Sequence, residues 1–277
     1  MGQGTRTTYV EVDGIRVRYF ERGRGNRAVL LLHGLGGSLE SWGQTAGHLA
    51  AHCRVVAVDL PGFGQSDKPH LPYSLAYFAR FVDHFMGQVR LEGAVVIGHS
   101  MGAAVALELA ASFPRRVSGL ALLDQGLFSR LFLGGLRLAS VPGVGRLTLS
   151  GGKRLLPLAL RWLVSDRSLI SQEWVDDQLA QNEMRGARSA LLATIRSLPL
   201  SNREMERMIR TQLSRITVPI LVIWGAEDRL IDVDASRRLF ASWGNARIRV
   251  IAECGHSPQV ERPREVNALL AEFIEAA

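Results

Sequence analysis

Cysteine is nearly missing from this chain of 277 residues, in which Cys53 and Cys254 are the only two. They are too few for a disulfide framework and too far apart for a zinc motif, so two reduced thiols in a cytoplasmic protein are expected. Lysine is almost as scarce: Lys68 and Lys153 are the only lysines among 33 basic residues, and the formal charge of +7 is an arginine excess. No run of Lys and Arg interleaves with aromatics as a nucleic-acid-binding stripe would, so the excess reads as compositional bias and no nucleic-acid partner is expected. No apolar stretch is long and charge-free enough to span a bilayer. The opening residues, MGQGTRTTYV, lack the charged-then-apolar pattern of a secretory leader, and Arg6 stands where a myristoylation motif needs Ser or Thr. The expectation is a soluble protein. Acidic residues are absent from Gln125 to Ser165, where Arg130, Arg137, Arg146, Lys153, Arg154 and Arg161 fall.

What is present is 47% hydrophobic residues, enough for one large α/β domain or for a core domain carrying an insertion. Short β-branched runs alternate with helical segments, the pattern of a mainly parallel sheet covered by helices. Strands are expected at Thr7 to Val12, Ile15 to Phe20, Val29 to Leu32, Val55 to Leu60, Ala94 to Ile97, Leu120 to Leu123, Ile220 to Trp224 and Ile248 to Ile251. Asp13-Gly14 between the first two is a hairpin signal, so the sheet should begin antiparallel. Core helices are expected at Leu75 to Val89, Met101 to Ser112 and Pro263 to Ala276, the last with proline at its first position. The alternation fails between about Gln125 and Ile216. Helical patterns follow one another there, including Ser171 to Met184 and Ala187 to Ser197, as in a helical insertion above the sheet.

The run VVIGHSMGAAVALELA, residues 95 to 110, breaks at Gly98-His99-Ser100-Met101-Gly102 and resumes at helical spacing. This fits G-x-S-x-G, in which a tight strand-to-helix turn pushes the serine hydroxyl out at the strand's C-terminal edge. The helix beginning after Ser100 aims free N–H groups at the same spot, which favours a developing oxyanion. A blander account is a corner whose serine only caps the helix. A serine hydroxyl is a poor nucleophile at neutral pH and needs a base, which needs a carboxylate to set its tautomer. ILVIWGAEDRLI places Asp228 in the loop after one buried strand, and IRVIAECGHSPQVERP places His256 after the next. Both loops leave C-terminal strand ends, the edge where open α/β sheets build their sites, in the order serine, acid, histidine. Asp124, ending an earlier strand, is a competing acid on that edge, and Asp228 is the choice made. His48, His52, His70 and His84 read as surface or packing residues without a matching partner, and His99 as packing beside the turn.

These segments identify the chain as resembling the α/β-hydrolase superfamily, in its branch with a helical cap, over nearly its whole length. LLLHGLGG at 30 to 37 looks like the family's His-Gly oxyanion loop, and VDLPGFGQSDKP at 58 to 69 like the loop after the next strand. The resemblance implies an eight-stranded, mainly parallel sheet flanked by helices. Residues 1–124 and 217–277 would form the core and 125–216 the cap. It implies Ser100 as nucleophile, His256 as general base and then acid, and Asp228 as orienting acid. The backbone N–H groups of Leu35 and Met101 would make the oxyanion hole, with His33, Gly34 and Gly36 as the supporting loop. The implied chemistry is acyl transfer from a small, apolar ester to water, with no metal or organic cofactor.

Serine at 100 excludes the related haloalkane dehalogenases and soluble epoxide hydrolases, whose covalent ester needs an aspartate there. Carbon–carbon hydrolases of ring-fission (meta-cleavage) products share the serine triad and cap. They tend to carry Asn before the nucleophile and Trp after the histidine, where this chain has His99 and Ser257, and the departures favour a carboxylesterase. A receptor with little turnover is a further alternative, disfavoured by the intact triad. The stretch Leu127 to Val164 could touch an anionic membrane or accept an acidic substrate, but the favoured reading packs its leucines on the sheet domain with arginines in water. The subunit is expected to be a monomer or a homodimer.

Overall fold

The computed structural model describes residues 7–141, 144, 158 and 160–277. Arg6, Arg146, Lys153 and Arg154 lie outside the described residues. Eight strands form one sheet: β1 (Thr8–Val12), β2 (Ile15–Arg22), β3 (Arg27–Leu32), β4 (Cys53–Val58), β5 (Ala94–His99), β6 (Val117–Leu123), β7 (Ile220–Gly225) and β8 (Ala246–Ile251). Their order across the sheet is β1-β2-β4-β3-β5-β6-β7-β8. The pairs β1/β2 and β2/β4 are antiparallel and every later pair is parallel. The antiparallel start follows from Asp13-Gly14, both at positive φ (52° and 75°), the geometry of a tight two-residue hairpin turn.

The central strands read as unbroken apolar runs because both sheet faces are covered. Successive residues alternate between the two cores. Leu30, Leu32, Val96, Leu120, Leu122, Val222 and Trp224 enter one cluster. Val29, Leu31, Val95, Ile97, Ala121, Leu123 and Ile223 enter the other. The helix Met101–Ser112 is buried almost throughout its length. The helix Leu75–Gln88 opens on Ser74, whose hydroxyl accepts from Tyr77 N, and Pro263–Ala276 opens on its proline.

Every expected strand is present. The largest difference is at β6, which starts three residues earlier than expected, at Val117; β3, β4 and β8 each start two residues earlier, at Arg27, Cys53 and Ala246, and β4 ends at Val58 rather than Leu60. An arginine interrupts the apolar run near the start of β4 (Arg54) and β8 (Arg247), and pairing with a neighbouring strand carries the ladder past it. No strand lies between β6 and β7 among the described residues, where helices span Arg130–Ser140, Gln172–Glu183, Ala187–Ser197 and Asn202–Leu213. In the first of these, Leu133 is buried, and Leu127 just before it is buried too, but Leu131 (70%) and Leu138 (55%) are exposed beside the exposed Arg130 and Arg137. The leucines therefore do not all pack inward as expected. The period-3.6 pattern sends only one stripe of an apolar helix to the core. Among the described residues no helix is long and apolar enough to cross a membrane.

Candidate active site

Ser100 joins β5 to the helix Met101–Ser112 at φ 52°, ψ −114°, a backbone conformation outside the allowed wells of an L-residue. The flanking glycines make so sharp a corner possible. A Cβ on Gly98 would overlap the carbonyl of Gly102, and one on Gly102 would overlap the carbonyl of Leu32. The serine does not act as a helix cap, for its side chain makes no capping hydrogen bond. Its Oγ lies 3.1 Å from His256 Nε2 instead.

His256 is buried in the loop after β8, with Nδ1 2.7 Å from Asp228 Oδ2. A carboxylate can only accept, so Nδ1 carries the ring proton and Nε2 is left to accept from the Ser100 hydroxyl. Asp228 Oδ1 accepts from the N–H groups of Leu230 (2.7 Å) and Ile231 (3.0 Å). Burial works against ionising Asp228. The charge and hydrogen bond of His256, with those two N–H groups, outweigh it and hold the carboxyl below its ordinary value.

The competing acid is also here. Asp124 ends β6 at φ 50°, is fully buried, and accepts from Gly225 N (3.1 Å) through Oδ1. Its Oδ2 is 4.0 Å from His256 Nδ1, outside hydrogen-bonding range, and receives no donor. Burial first, and then the negative charge of Asp228, push the Asp124 pKa well above the ordinary carboxylate value. An ionised Oδ2 would stand bare in the interior. Burial and the neighbouring Asp228 charge therefore favour the uncharged form of Asp124. The two carboxyls are thus pushed in opposite directions, and only Asp228 is within hydrogen-bonding distance of the histidine.

His33 braces the loop after β3. Leu60 N donates to His33 Nε2 (3.0 Å), which leaves Nδ1 to donate to the Gly34 carbonyl (2.8 Å). Gly37 N closes the turn on the same carbonyl (3.1 Å), and Gly36 takes φ 71°. Leu35 sits within this turn. Met101 is the first residue of its helix, so its N–H has no intrahelical acceptor.

Some contributions escaped the sequence reading. His99 does more than pack: its Nε2 donates to the backbone carbonyl of His256 (2.6 Å), and burial drives its pKa down to about 3, so the ring stays neutral. Asp59, the residue after β4, is fully buried and ties the Leu39 and Gln65 N–H groups to Arg18 Nε (2.6 Å). The carboxyl at the end of a buried strand inside VDLPGFGQSDKP was the available signal. His84, expected to lack a partner, bonds Asp13 at 2.7 Å, because its helix lies beside β1 and the hairpin. His48, His52 and His70 are exposed.

His99, Asp124 and His256 offer ligand atoms within 4.8 Å of one another. Two are already engaged, His99 Nε2 on the His256 carbonyl and His256 Nδ1 on Asp228, so metal ligation there would dismantle the hydrogen-bonded chain.

A serine on a strained strand-to-helix corner, bonded through histidine to a carboxylate on an eight-stranded mixed sheet, defines a class, and this chain belongs to it. It is a member of the alpha/beta hydrolase family, whose model matches residues 29–269. It is 35% identical over 266 residues to the dihydrolipoyllysine-residue acetyltransferase component of the acetoin cleaving system of Cupriavidus necator, covering 96% of this chain and 68% of that one. It is 31% identical to the 2-hydroxy-6-oxononadienedioate/2-hydroxy-6-oxononatrienedioate hydrolase of Burkholderia vietnamiensis, covering 96% and 94%. The crystal structure of haloalkane dehalogenase DbeA from Bradyrhizobium elkani matches with a TM-score of 0.86 at 23% identity over 99% and 98% of the two chains, a likeness of fold.

Proposed function

We propose that this hydrolase cleaves carboxylic esters of short to medium acyl chain length through an acyl-enzyme on Ser100. The reading rests on the continuous path from Ser100 Oγ to His256 Nε2 and from His256 Nδ1 to Asp228. His256 takes the hydroxyl proton as Ser100 attacks the ester carbonyl, and the oxyanion is received by the N–H groups of Leu35 and Met101. The C–O bond breaks as His256 returns the proton to the departing alcohol. Water, deprotonated by His256, then attacks the acyl-enzyme and releases the acid, which regenerates Ser100. Asp228 keeps the ring in the tautomer that accepts from serine and stabilises its positive charge during transfer. Each oxyanion donor contributes about 3–4 kcal/mol in such sites. In this reading the described helices between β6 and β7 cap this edge of the sheet.

The relative named as a 2-hydroxy-6-oxononadienedioate hydrolase supports a second reading, in which the same residues cleave a carbon–carbon bond next to a ketone. Hydrolysis of p-nitrophenyl esters from acetate to long acyl chains, by the wild type and by Ser100→Ala, tests the first reading. Turnover that peaks at short or medium chains and vanishes in the variant is the expected result. Absence of ester turnover alongside cleavage of a ring-fission diketone would replace the first reading with the second. Absence of both would leave a ligand-binding role.

A further inference from the structure

The main-chain N–H groups of Gly255, His256 and Ser257 carry the histidine, and each has a specific acceptor. Gly255 N donates to Glu261 Oε2 (3.0 Å), Ser257 N to Glu261 Oε1 (3.1 Å), and His256 N to the carbonyl of Leu163 (2.8 Å). Leu163 belongs to the helical segment between β6 and β7, not to the sheet. Two residues on, Ser165 N donates to Glu261 Oε2 at 2.7 Å, so one carboxylate oxygen holds the histidine loop and the helical segment together. The same stretch reaches the Asp228 loop: Arg229 donates to the Trp162 carbonyl (3.0 Å) and Ser165 Oγ to Glu227 (2.6 Å). Glu261 is 4% exposed. A buried carboxylate with three N–H donors is both satisfied and immobile.

We propose that Glu261 is a positioning residue that locks the segment Trp162–Ser165 and the His256 loop into one unit, so that the seating of the helical segment sets the aim of His256 Nε2 at Ser100. The proposal rests on the reading of Ser100 as a nucleophile activated by His256. Gly255 fits the same account. A Cβ there would overlap the Leu163 carbonyl, so a side chain at 255 would force the two segments apart. The consequence is functional because a reacting group displaced by about 1 Å can cost about 100-fold in rate. Displacing the helical segment would misalign the base even with all three reacting residues intact.

The test measures the second-order rate at which a fluorophosphonate labels Ser100, followed by intact mass on the full chain. This readout needs no knowledge of the substrate. Wild type should label and Ser100→Ala should not; failure of wild type to label would overturn the nucleophile reading itself. Glu261→Gln removes the charge while keeping the shape, and should label to completion about 10- to 100-fold more slowly at temperatures well below its melting point. A role confined to stability would lower the melting temperature and leave that rate unchanged, and a rate within threefold of wild type would overturn the proposal. Gly255→Ala parts the two segments with Glu261 intact and should slow labelling in the same sense. It decides the matter alone if Glu261→Gln fails to fold, and an unaltered rate in a folded Gly255→Ala would count against the coupling.

Discussion

Replacing Asp124 by asparagine separates its two possible roles. Asparagine has the same shape, tolerates the positive φ of this position, and can still accept from Gly225 N through its carbonyl. Its uncharged amide would take the place of a carboxyl that burial keeps from ionising. Activity should therefore stay within about threefold of wild type. The corresponding Asp228→Asn substitution should lower kcat by about 10,000-fold, the loss typical when the acid of such a triad is removed. Stability supplies an independent readout. Because its pKa is raised in the fold, Asp124 is protonated in the native chain over a range where the unfolded chain has lost the proton. The native state then binds more protons, so stability falls as pH rises above the unfolded value of about 4, by up to roughly 1.4 kcal/mol per pH unit. Asp228 has the opposite sign. Its folded pKa is depressed, so its contribution is already complete above the ordinary carboxylate value and is lost only as pH falls through the folded one. The contributions of Asp228 and of the buried His99 are common to both proteins and cancel in the difference, so Asp124→Asn should gain stability relative to wild type as pH rises above the unfolded carboxylate value. Urea unfolding followed by tryptophan fluorescence at pH 5, 6 and 7 measures this, with the buried Trp42 and Trp224 as reporters. Parallel pH curves for the two proteins would refute a neutral Asp124. A collapse of kcat in Asp124→Asn with activity retained in Asp228→Asn would exchange the roles of the two acids.

Two further outcomes follow from buried chemistry elsewhere. Arg18→Met strands Asp59 as a charge without its guanidinium partner and should destabilise the fold by about 3–5 kcal/mol, read as a lower urea midpoint; a change below 1 kcal/mol would show that the pair is dispensable. Burial pushes the Cys53 and Cys254 thiols above their ordinary pKa. Ellman's reagent should therefore titrate neither in the native protein and both in denaturant, and rapid native reaction would contradict their burial.

Much of the architecture was readable without coordinates because its causes are local. Alternating apolar runs and helical patterns mark a sheet buried on both faces, and Asp13-Gly14 marks its antiparallel start. Gly98 and Gly102 announce the corner at Ser100 because only a missing side chain lets those backbones meet. The starts of β4 and β8 were less legible, since Arg54 and Arg247 interrupt the apolar pattern there and pairing with a strand distant in sequence draws these residues into the sheet.

The sequence by itself determined the order of strands and helices, the serine at a strand-to-helix corner, and the presence of an acid and a histidine on the same sheet edge, all properties of residues close together along the chain. Only the tertiary structure decided between Asp228 and Asp124, at 2.7 and 4.0 Å from the same imidazole nitrogen. It alone showed His99, Asp59 and Glu261 holding the loops around them. The physical reason is that proton occupancy and the aim of a side chain depend on through-space distance and on exclusion of water. Segments far apart in sequence set both, and no local pattern records them.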